Sequence, residues 1–262
     1  RAAEIAEDTV ENVDDKAVKK EEAGNIRSFI AIALGQFVSM FGSSLSGFAL
    51  GIYILRLKGS IVDFSMVLLF NRLPQILIMP VVGWIVDKYN RRKLMIISDI
   101  FVAMRIIILL FLITNNSLEL WHVFATTTIG SIARAFRNNA YVAAVAQIVP
   151  KRYLANANGF VQLTNNTGGI LAPLCAGFFL TFMTIHTIMI IDLFTFIAAF
   201  IPLLLIKFPE KMIRRIEESI GKAIAGGYKF IVKRKSMIIM VVYFFIANIF
   251  LGIGTTLMTP LV

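Results

Sequence analysis

Cysteine is almost missing from this chain, with Cys175 alone among 262 residues. A single thiol excludes a disulfide framework and any metal site built on paired cysteines. Histidine is nearly as scarce: His122 and His186 each stand alone, so no metal is expected. Charge is short as well, at 16% of residues against about 25% in a soluble domain. Hydrophobic residues make up 58% against a usual value of roughly 45–50%, and the mean hydropathy is +0.78. No serine–histidine pair, paired catalytic carboxylates or metal-ligand cluster stands out, so the sequence does not read as an enzyme. The first 28 residues are charged and lack the short apolar core of a cleavable signal peptide, which leaves the first apolar run to direct insertion.

Long apolar runs are what the chain has in abundance. Seven of them, at 29–54, 64–86, 94–114, 118–140, 158–181, 185–206 and 237–262, are bounded by charge, Gly or Asn-Ser clusters. About 20 residues at 1.5 Å rise cross the hydrocarbon of a bilayer, so each run reads as a helical span. None alternates polar and apolar residues as a barrel strand would, and unpaired backbone cannot sit in lipid. An all-α membrane bundle follows.

Basic residues fix the expected orientation. After the second, fourth and sixth runs stand Lys88, Arg91, Arg92 and Lys93; then Arg137, Lys151 and Arg152; then Lys207, Lys211, Arg214, Arg215, Lys222, Lys229, Lys233, Arg234 and Lys235. The alternate connections hold only Arg56 and Lys58. Lys and Arg collect in cytoplasmic loops, which predicts a multi-pass protein of the cell membrane with a cytoplasmic N-terminus. The same asymmetry accounts for the net charge of +10 and makes a nucleic-acid partner unnecessary. The expected partners are the lipid bilayer and a small molecule.

Four segments are expected. Residues 1–28 form a charged cytoplasmic tail, its first 25 residues carrying eight acids and four bases. Residues 29–206 make six spans, residues 207–236 a basic linker, and residues 237–262 a seventh span. In the linker Ile213, Ile216, Ile220 and Ile224 recur at helical steps, as on an interfacial amphipathic helix, with Gly226-Gly227 expected to break it. The chain begins with Arg1 instead of Met, the pattern of a segment cut from a longer protein.

Gly83-Trp-Ile-Val-Asp87-Lys-Tyr-Asn-Arg91-Arg92-Lys93 is the most informative stretch. It resembles the signature loop between the second and third helices of the major facilitator superfamily, Gly-x-x-x-Asp-x-x-Gly-Arg-Arg/Lys. Asn90 replaces the second Gly and also tolerates the left-handed backbone of a tight turn. Gly35-Gln36 through Ser44, Ala135 through Gly159, and Gly169-Ile-Leu-Ala172-Pro173-Leu-Cys-Ala176-Gly177 resemble the macrolide-efflux-like branch of drug:proton antiporters. The last stretch is similar to that branch's antiporter motif, with Ala172 and Ala176 in place of two glycines. Thr126-Thr127-Thr128 stands where the family has an Arg.

The resemblance implies a six-helix half followed by the start of a second half, which would need five more spans after Val262. It further implies a proton-coupled exporter of hydrophobic or amphipathic small molecules, working by alternating access with no cofactor beyond the proton gradient. Gly83, Asp87, Arg91 and Arg92 would gate it, Asp87 bonding the two arginines to stiffen the turn. Gly169, Pro173 and Gly177 would let helices approach closely and supply a kink. A substrate cavity is implied among the first, second, fourth and fifth helices, with Gln36, Asn71, Gln75, Arg134, Asn138, Gln162 and Asn165 as candidates. Ionisable residues inside apolar spans are costly and mark function. Arg72 and Asp192 sit at similar depth and could pair, Arg105 lies deep in the third span, and Asp99 stands closer to its cytoplasmic end. Uptake of a nutrient or peptide, or a membrane module tethering an upstream enzyme or partner, are the alternative functions.

Overall fold

The structure is a computed structural model that describes the backbone of residues 2–206 and 220–258, with side chains for 26–206, 221 and 224–250. The described residues are helical, with no strand among them, and the chain divides into two units, 1–214 and 215–262. The first holds α1 (Ala2–Lys58), α2 (Ile61–Lys88), α3 (Arg91–Thr114), α4 (Leu120–Ile148), a single 3₁₀ turn, α5 (Leu154–Phe179) and α6 (Ile185–Leu205). The second holds α7 (Ile220–Val232) and α8 (Lys235–Met258).

Short connections force neighbouring helices antiparallel, and side-chain oxygens mark where several begin. Ser60 caps α2 and Thr184 caps α6, each accepting a backbone N–H of the first turn. Asn90 does the same for α3 through Lys93 N. Its φ of −63° is extended and not left-handed, so Asn suits this turn as a helix cap and not for the backbone freedom expected from its sequence position.

Within the first unit α1 packs on α5 and α6, α4 on α2 and α3, and α3 on α6. Two apolar clusters stack along the helices. One gathers Leu45, Leu50, Ile54, Ile106, Leu109, Val123 and Ile188; the other gathers Ile32, Val82, Val86, Met95, Val145 and Leu203. Between them along α1, α3 and α6 lie the buried polar residues Gln36, Ser39, Ser43, Asp99 and Asp192. The outward faces are apolar, as with Ile76, Leu77 and Phe111, which suits contact with acyl chains.

Several boundaries differ from the sequence expectation. α4 continues to Ile148, beyond the expected end at 140, so Arg137 is a buried helix residue and not a loop cation. Polar residues 137–139 end the apolar run without ending the helix, because their backbone remains hydrogen-bonded within it. Among the described residues four helices are apolar and long enough to cross a membrane: Ile26–Lys58, Ile61–Lys88, Arg91–Thr114 and Ile185–Leu205. α4 and α5 match them in length but carry the polar runs Thr126–Thr128, Arg134–Asn139 and Gln162–Thr167, so composition alone marks fewer than the seven spans expected. α7 runs through Gly226-Gly227 unbroken, and the turn falls at Lys233-Arg234. Linker residues 207–219, with Ile213 and Ile216, lie outside the described residues.

Candidate functional site

The polar layer of the first unit is built by α1, α3, α4 and α6. On α1, Gln36, Ser39, Ser43 and Ser46 follow steps of three, four and three and therefore share one face, each at most 2% exposed. Opposite them on α6 stands Asp192, 0% exposed. Ser43 Oγ donates to Asp192 Oδ1 at 3.1 Å, and Ser46 Oγ donates to Oδ2. Gly42 makes this possible: a Cβ there would lie 3.2 Å from Asp192 Oδ1 and collide with Thr195 Oγ1.

The cations arrive from the other side. Arg105 on α3, 3% exposed, interacts electrostatically with Asp192 and lies flat against α4 at Gly130, where a Cβ would stand 2.5 Å from its Cδ. Arg137 on α4, 1% exposed, donates through Nη1 to Asp99 Oδ1 at 3.4 Å and to Ser39 Oγ at 3.5 Å. Two acids and two arginines thus meet in the buried layer, with the half-buried Arg134 of α4 electrostatically coupled to Asp192 and to both arginines. Asp192 pairs with serines and faces Arg105, so the expected partnership with Arg72 does not form; Arg72 is exposed on α2. Asp99 is held by the buried Arg137.

The cavity candidates separate by position. Asn71 accepts from Arg134 Nη2 at 2.8 Å through Oδ1 and from Ser131 Oγ at 2.8 Å through its carbonyl, tying α2 to α4. Arg134, Asn138 and Gln75 are half-buried, Gln162 and Asn165 are exposed on α5, and Gln36 is buried inside the bundle.

The basic turn differs from its expected wiring. Asp87 is exposed and bonds neither Arg91 nor Arg92 nor any other described residue. Arg92 instead donates through Nε to Leu203 O at 3.1 Å and through Nη2 to Leu204 O, satisfying carbonyls at the end of α6. Gly83 meets nothing within 4 Å of a Cβ position. On α5, Gly169 and Gly177 likewise face open space, while the preceding turn supplies the close contact. Gly168 stands against Ser44 of α1, and Ala172 and Ala176 continue that face at four-residue steps, each at most 1% exposed. The small stripe packs as expected of such residues, one position earlier than the glycines singled out, with Pro173 half-buried beside it. The two histidines have separate duties at helix ends: His122 Nδ1 accepts from Glu119 N, and His186 Nε2 meets Thr114 Oγ1 at 2.6 Å.

Arg137, Ser46 and Gly130 were not legible as site residues from the sequence, whereas Ser39 and Ser43 stand out there as polar residues of the first apolar run. The three- and four-residue steps of Gln36, Ser39, Ser43 and Ser46 were the signal available for the α1 face.

Residues 32–262 match the Major Facilitator Superfamily along almost their whole length. The chain belongs to that superfamily. Among curated relatives, Macrolide efflux protein A of Streptococcus pyogenes is 28% identical over 182 residues, covering 70% of this chain and 45% of that protein. Macrolide efflux protein A of Enterococcus faecalis is 29% identical over 152 residues, covering 58% and 47%. The uncharacterized MFS-type transporter YfiS of Bacillus subtilis (strain 168) is 22% identical over 169 residues, covering 64% and 39%. This superfamily member therefore spans less than half the length of the curated relatives it matches. Its fold is similar to that of a bacterial homolog of the human lysosomal transporter Spinster, solved inward-facing and unoccupied, with a TM-score of 0.54, 14% identity, and coverage of 72% of this chain and 44% of that one. The all-helical bundle, its apolar outer faces and the family together identify a membrane protein.

Proposed function

We propose that this chain is the N-terminal half, with the first helix of the second half, of a proton-coupled exporter of hydrophobic or amphipathic small molecules. The observation that carries the reading is Asp192, a fully buried carboxylate in an apolar bundle, held by two serines and facing a buried arginine. A carboxylate is too costly to keep in such a place for packing alone. It can hold a proton in one state of the transporter and a counter-charge in the other, which is what coupling requires. The likeness to macrolide efflux proteins supports the direction of transport and a bulky, largely apolar substrate.

The half-buried polar groups Asn71, Gln75, Arg134 and Asn138 on α2 and α4, with the exposed Gln162 and Asn165 on α5, supply the polar contacts of the substrate site. The Asp87 carboxylate, free of its own turn, is available to a partner element in a gate between the two halves. The protein lies in the plasma membrane with its N-terminus and the α2–α3 turn in the cytoplasm, since the basic residues gather at that end.

The full-length protein, expressed in a drug-sensitive host, tests this reading. Cells should accumulate less erythromycin than the empty host, and a protonophore should abolish the difference. Equal accumulation across several amphipathic dyes and drugs, or higher accumulation with the transporter, would replace export by uptake or by a non-transporting role.

A further inference from the structure

The buried layer carries more polar atoms than it pairs. Arg105 Nε and Nη1, Thr127 Oγ1, Arg137 Nε, Gln36 Oε1 and Tyr141 Oη are buried without a hydrogen-bond partner among the described residues, as is Arg91 Nε at the start of α3. All but Arg91 fall in two groups. Thr127 is one turn before Gly130, where Arg105 lies, so the first three stand near the Asp192 end of the layer. Arg137, Tyr141 one turn further along α4, and Gln36 one turn before Ser39 stand at the Asp99 end.

Between the two groups runs the α1 stripe, with Ser43 and Ser46 on Asp192 and Ser39 on the arginine that holds Asp99. Seven residues of helix separate Ser39 from Ser46, about 10 Å at 1.5 Å per residue. Buried polar atoms left unpaired are expensive and are ordinarily met by ordered water.

We propose that the serine stripe of α1, with ordered water bridging its hydroxyls and meeting the unpartnered atoms at its ends, is a proton route inside the six-helix bundle joining Asp192 to Asp99. The route rests on the proton-coupled reading above and deepens it. Each link accepts a proton on its oxygen and releases its own hydroxyl proton to the next, so no group in the file keeps a charge. Asp192 is faced by Arg105 from α3 and by Arg137 and Arg134 from α4, and Asp99 by Arg137; α1 presents only uncharged groups to either. A proton passing from one acid to the other leaves the total charge of the layer unchanged, and at each end an arginine faces the acid. Tyr141 then carries the file toward the end of the bundle that holds the α2–α3 turn, with Gln36 Oε1 accepting a hydrogen bond from its water and moving no proton itself. Of the substrate's polar contacts on α2, α4 and α5, Arg134 is electrostatically coupled to Asp192, which gives substrate and proton a point of contact.

Infrared difference spectroscopy on the purified full-length protein tests this without a known substrate. A flash-released caged proton starts the reaction, and the carbonyl stretch of protonated Asp192, identified by its loss in Asp192→Asn, is followed in time. The route predicts that Ser39→Val leaves the final amplitude intact but slows the rise roughly tenfold, the effect of breaking one hydrogen-bonded link. Ser39→Ala, which adds no bulk, and Asp99→Asn should slow it in the same direction, and thermal melting of each variant identifies those that fold. An Asp192 band that rises at the wild-type rate in the folded variants overturns the route while leaving proton coupling standing. No Asp192 band at any pH at which the protein stays folded overturns both.

Discussion

At the scale of single residues the site depends on side chains that are small or absent. Gly130 leaves room for the stem of Arg105, and Gly42 leaves room for Asp192 and Thr195. Gly130→Val should therefore cost about 1–3 kcal/mol, the usual penalty of overpacking, and push Arg105 off α4. Thermal unfolding of the purified protein measures it, and Gly83→Val, at a position with nothing within 4 Å, should unfold within a degree or two of wild type on the general scale of surface changes. The Asp99–Arg137 pair makes a second prediction. Asp99→Leu alone strands a buried guanidinium and should cost roughly 3–5 kcal/mol, whereas Asp99→Leu with Arg137→Leu should recover most of that loss. Equal losses in the single and double variants would mean the pair is not coupled. Asp192 and Arg105 could be found in the sequence because a charge inside an apolar run is conspicuous. Their partners could not: serines on α1 gain a role only when α6 docks against them, and Arg137 sat in a polar stretch that reads equally well as a loop.

At the scale of helices, Arg92 reaches from the start of α3 to the last carbonyls of α6. The basic turn thus does a structural job inside the first unit. Arg92→Ala should expose the last turn of α6, lowering protection of its amides in hydrogen exchange by about tenfold, equivalent to about 1.4 kcal/mol for charged hydrogen bonds at a helix end. Arg92→Lys, with a single donor point in place of the planar fork, should fall between the two. α5 teaches a related lesson. Its Gly/Ala/Pro composition correctly indicates a close helix contact, but which residues make it depends on the rotation of the helix. Gly168, Ala172 and Ala176 face α1, while Gly169 and Gly177 face away, and composition cannot distinguish a stripe from its neighbour one residue on. Gly168→Leu should accordingly destabilise the bundle far more than Gly169→Leu, by thermal melting of the same preparation.

At the scale of the whole molecule, length and hydropathy were enough for an all-α membrane bundle, and the basic turn for its superfamily. The polar layer is what separates this bundle from inert membrane packing: buried acids and arginines between two apolar clusters, with Ser43 and Ser46 of α1 on Asp192 and Ser39 on Arg137. Asp192→Asn, which keeps the shape and the serine contacts of the side chain, is the change that probes coupling with least disturbance of that packing. The decisive measurement is substrate flux in vesicles holding the full-length protein, with wild type and Asp192→Asn compared under an imposed pH gradient and in gradient-free counterflow, using erythromycin as probe. The account predicts that Asp192→Asn loses the gradient-driven flux and keeps the counterflow. Gradient-driven flux at the wild-type rate in Asp192→Asn would contradict it, and loss of both activities in a folded variant would make Asp192 a structural charge instead of a proton carrier.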